Sequence, residues 1–114
     1  MKRAGLTIGL LAISCIAALA RSPGANPFDG EWSETIVGES PSCVANINTS
    51  FTVKDGHFSQ PNSTGTVSPN GSAQGRASAA GFTATWTGHF SGNNASGRFQ
   101  RSDGCTGRWD AVRR

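Results

Sequence analysis

The sequence predicts an all-β fold of about eight antiparallel strands in a meander, closed as a small barrel, with a two-sheet sandwich as the alternative arrangement. Three observations carry this. Residues 82–90 alternate without a break, Phe82, Ala84, Trp86, Gly88 and Phe90 on one side and Thr83, Thr85, Thr87 and His89 on the other, the period of a half-buried strand. Gly, Asn and Asp turn signals recur roughly every ten residues on either side of it. No stretch beyond residue 20 carries helical periodicity.

The chain of 114 residues opens with a segment outside this pattern. Met1-Lys2-Arg3 is a positive start, residues 6–20 are an uncharged apolar run, and Ala18-Leu19-Ala20 is small enough for a signal peptidase. Residues 1–20 read as a secretory signal peptide. The run is shorter than the ~20 residues a membrane helix needs, and no stable transmembrane span is expected. Ala12-Ile13-Ser14-Cys15 resembles a lipobox, which leaves a lipoprotein anchored at Cys15 as the alternative to a periplasmic or secreted protein starting at Arg21. Without Lys2 and Arg3, eight basic residues face seven acidic ones. The domain is then nearly neutral, and a nucleic-acid partner is not expected. The acids lie early and the arginines late, so the first and last strands are expected side by side with opposite charges facing.

Residues 21–29 hold two prolines, a glycine and an asparagine and read as an extended N-terminal arm with few buried contacts. Removing residues 21–27 is expected to leave stability nearly unchanged. Residues 30–114 form one domain. Its first strand, 30–37, puts Trp32 and Ile36 on one face with Glu34 between them. An inward carboxylate is costly unless paired. Two readings stay open for Glu34: a strand end or bulge that returns it to solvent, or a ligand contact.

The second strand alternates from Cys43 through Ala45, Ile47, Thr49 and Phe51 to Val53, and Asp55-Gly56 is a hairpin turn. Short strands follow around Phe58 and over 64–68, with a turn at Pro69-Asn70-Gly71. Strand 72–79 points Ala73, Gly75, Ala77 and Ala79 one way. After an Ala80-Gly81 turn comes strand 82–90, then a Gly92-Asn93-Asn94 turn, a strand with Ala95, Gly97 and Phe99 inward, and a last strand from Cys105 to Val112. The predicted interior is Trp32, Ile36, Ala45, Ile47, Phe51, Val53, Phe58, Val67, Ala77, Phe82, Ala84, Trp86, Phe90, Phe99 and Trp109. Small inward residues let a narrow barrel interdigitate, or leave a pocket.

Cys43 and Cys105 remain once the leader is gone, and in an oxidising compartment they pair. In a meander barrel both flank the first strand at the end where it finishes, so the bridge closes over that end. His57 and His89 have no Cys or carboxylate at ligand spacing, and both read as surface residues. No metal, cofactor or catalytic constellation is expected.

Phe28-Asp29-Gly30-Glu31-Trp32 and Cys105-Thr106-Gly107-Arg108-Trp109 resemble the opening Phe-Asp-Gly-x-Trp and closing Cys-x-Gly-x-Trp of a group of small exported proteobacterial proteins. That resemblance implies export and a small β-domain, and no activity. Gly30-x-Trp32 is also similar to the opening of lipocalins and avidins, although the chain is short for a lipocalin and has no tyrosine. Size, export and one disulfide are similar to small bacterial protease inhibitors on an eight-stranded barrel, whose N-terminal arm enters the protease cleft; residues 21–29 do not match that motif. The expected function is a non-catalytic, monomeric protein of the envelope or exterior that binds a protein or small ligand. A site is expected at the barrel mouth or the arm, away from the Trp86 strand. A protease inhibitor and a structural envelope component are the alternatives.

Overall fold

The computed structural model describes residues 26–43, 45–79 and 81–114. The leader with Cys15 and residues 21–25 of the arm lie outside the described residues, as do Val44, Ala80 and the side chain of Ala79. The chain runs through β1 (Gly30–Gly38), a 3-10 turn (Pro41–Cys43), β2 (Ala45–Lys54), β3 (His57–Gln60), β4 (Ser63–Val67), β5 (Ser72–Ala79), β6 (Phe82–Ser91), β7 (Asn94–Arg101) and β8 (Thr106–Arg113). Each strand pairs antiparallel with its neighbours in sequence, and β8 returns to β1 to close a barrel; β2 meets β3 only over Thr52–Lys54, so the first part of β2 pairs with β1 alone. No helix among the described residues is long and apolar enough to cross a membrane.

Alternation sends the apolar side chains inward, but they fill only one half of the barrel. At the end where β1 begins, Phe28, Trp32, Phe51, Val53, Phe58, Val67 and Phe90 are buried with the small Ala73, Ala95 and Ala111. Trp32 stands edge-on to Phe90 at 4.9 Å, and Phe51 meets Phe58 at 4.5 Å. Asp55 and Gly56 close the β2–β3 hairpin with positive φ angles of 52° and 77°, as Asp-Gly turns require.

Residues 26–29 of the expected arm belong to this packed end, which for them corrects the expectation of few buried contacts. Phe28 is buried against Phe90, and its carbonyl accepts the Trp32 indole N–H at 3.0 Å. The Asn26 amide donates to the Val67 carbonyl at 2.7 Å, and the Asp29 carboxylate accepts the backbone N–H groups of Asp55 and Gly56. Arg113 lies over the Trp32 ring at 4.9 Å and donates to the carbonyls of Asp29 and Pro27. A stretch rich in proline reads as loose, yet one aromatic and two side chains with local hydrogen-bonding power tie it across three hairpins.

At the opposite end Cys43 is bonded to Cys105. Cys43 stands in the 3-10 turn and not on β2, because the chain must fold back over the end of β1 to reach Cys105. Gly38 makes this possible: a side chain there would collide with Cys43. On the outer surface Arg98 and Arg108 are cross-strand partners, and Glu39 from the β1 end pairs with both at 2.8 and 3.0 Å. Early acid and late arginine therefore do face each other.

Candidate functional site

The half of the barrel nearer the disulfide is hollow. A cavity of about 470 Å³ enters between the β3–β4, β5–β6 and β7–β8 connections and reaches inward to the rings of Trp86 and Trp109. Its size falls within the range of small-molecule sites. Three wall positions explain the space. Ala45, Ala77 and Ala84 present one methyl group each where Phe or Leu would fill the lumen. Ile47 points to the same space and is 51% exposed, so it lines an open mouth and does not belong to the packed core. Ala45 and Thr49 are likewise exposed. The inward facing expected of β2 is correct; its first half meets the opening, not an opposing wall.

Packed aromatic rings close the inner end of the cavity. Trp86 and Trp109 meet edge to face at 5.8 Å, and Phe58 packs on Trp86 at 4.6 Å. The Trp86 indole N–H donates to Ser63 Oγ at 3.1 Å, and that of Trp109 to the Thr87 carbonyl at 3.2 Å. Both polar edges are satisfied, and the ring faces are left for apolar contact. Trp86 is core, as expected, but it is also cavity wall, so the site cannot be placed away from its strand.

Glu34 is the charged group of the interior. It lies in the middle of β1, opposite Thr49 on β2 and Ala111 on β8, and is 7% exposed. The reading that returned it to solvent through a bulge or strand end is therefore overturned: pairing is regular on both sides. Its Oε1 accepts the Gln60 amide at 2.8 Å, and the same amide donates to the Ser50 carbonyl at 3.1 Å. Burial pushes the Glu34 carboxyl up to about 7 from its ordinary 4.5, while the Gln60 bond pulls the other way. Desolvation wins because one neutral donor replaces only part of a hydration shell. Gln60 was missed from the sequence, since a four-residue strand, His57–Gln60, shows too little alternation to assign a face.

The remaining polar groups lie at the rim. Arg101 stacks on Phe82 at 4.0 Å and pairs with Asp103, which is held down to about 2 chiefly by that hydrogen bond. His57 and His89 are exposed on the outer surface, and among the described residues no cluster of His, Cys, Asp and Glu has metal-site geometry. The chain matches no family model, no curated protein and no solved structure.

Proposed function

We propose that this is an exported, non-catalytic binding protein that holds a small, largely apolar ligand in the barrel cavity. The observation that supports this most is the contrast between the two halves of one lumen. The half behind Trp86 and Trp109 is packed with aromatics, and the half in front is walled with alanines around a Glu34–Gln60 pair. Burying a carboxyl costs stability, and a packed barrel end would have no need of it. A structural envelope role leaves this cavity unused. The protease-inhibitor reading needs a free arm, whereas Asn26, Phe28 and Asp29 are tied into the barrel.

The test uses the neutral apolar fluorophore N-phenylnaphthylamine. It should bind saturably at one site, quench Trp86 and Trp109, and lose binding in Ala84→Trp, where the new ring occupies the lumen. Emission that rises only in proportion to probe added, with no saturation, would reject the cavity as a ligand site.

A further inference from the structure

Two acceptor oxygens at the polar end of the cavity lack a protein donor. Gln60 spends its amide N–H groups on Glu34 Oε1 and the Ser50 carbonyl, so its own Oε1 has no donor among the described residues. Glu34 Oε2 has none either. Ser63 Oγ accepts the Trp86 indole N–H and keeps its own O–H as a donor. Glu34 is buried and Gln60 half-buried, and a carboxyl oxygen taken out of water stays costly until a donor reaches it. The apolar body of a ligand would lie against the Trp86 and Trp109 faces beside them.

We propose that the ligand is a lipophilic amine, whose ammonium group donates to Glu34 and to the Gln60 amide oxygen while its hydrocarbon packs on Trp86 and Trp109. This rests on the cavity being a ligand site. Charge selects the cation. The inward residues of β2 and β3 bring no titratable group, Gln60 being a neutral amide. From β8, Arg113 is committed at the closed end to Trp32 and two carbonyls. From β7, Arg101 is committed at the rim to Asp103 and Phe82. An anionic ligand would meet Glu34 with no free cation beside it, whereas an ammonium group supplies the missing countercharge and donors together.

The sign of the pH dependence follows. An ammonium ion binds the ionised carboxyl, so affinity falls as pH drops through about 7, where Glu34 takes up its proton. Calorimetric titration of the intact protein with octylamine, octanol and octanoate tests this near pH 8 and near pH 5. Octylamine should bind at least about tenfold more tightly than octanol near pH 8, should lose that margin near pH 5, and should lose it at both in Glu34→Gln. Octanol matching octylamine, octanoate binding best, or an amine preference that survives Glu34→Gln would overturn the amine while leaving the cavity reading intact. Failure of all three to bind would overturn both.

Discussion

The indole of Trp86 lies across Gly75, its cross-strand partner, and over Gly65 beyond it, in the space where side chains at those positions would stand. Trp109 does the same with Gly97 and Gly88, and Phe99 with Gly107. These three rings rest on bare backbone of the next strands, which is how they fit a narrow barrel. Gly75→Ala should therefore destabilise by about 2 kcal/mol, the scale of overpacking. It should also disturb the floor of the cavity, because Trp86 has to move. Chemical denaturation and the near-ultraviolet tryptophan signal report the two effects. An unchanged midpoint would mean the ring is free to shift.

Glu34 sets a pH dependence of stability whose direction is opposite to that of a salt-bridged acid. Its carboxyl titrates at about 7 in the fold and near 4.5 when unfolded. Between those values the native state holds a proton that the unfolded state has released, so stability falls as pH rises across the window. The loss is absent below 4.5, complete above 7, and amounts to about 3 kcal/mol. Glu34→Gln should melt on the order of 10–20 °C above the parent near pH 8 and close to it near pH 4. Parallel melting curves at both values would show that Glu34 is solvated.

The Cys43–Cys105 bridge closes a loop with a sequence separation of 62. The chain-entropy model assigns it about 4 kcal/mol. Both cysteines also border the cavity mouth, so reduction should weaken ligand binding as well as stability. Peptide mapping of the unreduced protein should find the two linked, and free thiols at both positions in material from an oxidising compartment would contradict the pairing.

Most of the barrel is legible because alternation and turn chemistry are local. Gly75-Arg76, Gly97-Arg98 and Gly107-Arg108 share one pattern: the glycine stands on the inner face under an aromatic ring, and the arginine points out to water. What is not legible depends on distance along the barrel axis. Alternation places Ala45, Ile47 and Phe51 on one face, but only the closed barrel decides that Phe51 meets Phe58 while Ala45 and Ile47 meet an opening. Glu34 stands out in the sequence between Trp32 and Ile36, whereas its partner Gln60 comes from a strand too short to show a period.

Phe28 gives the sharpest difference between a free arm and a packed one. Its ring is 7% exposed against Phe90, and its carbonyl satisfies the indole of the fully buried Trp32. Phe28→Ala should cost about 3–5 kcal/mol, the range for a buried aromatic. Deleting residues 21–27 should also destabilise, since it removes the Asn26 contacts to the Val67 and Phe28 backbone. The packed end lies behind Trp86 and Trp109, so ligand affinity measured below the unfolding transition should change little in Phe28→Ala. Ala84→Trp should show the converse, with stability kept and binding lost. Urea denaturation of Phe28→Ala decides the matter: an unfolding free energy within about 0.5 kcal/mol of the parent, the scatter of ordinary surface changes, would mean that the segment before β1 is not part of the core.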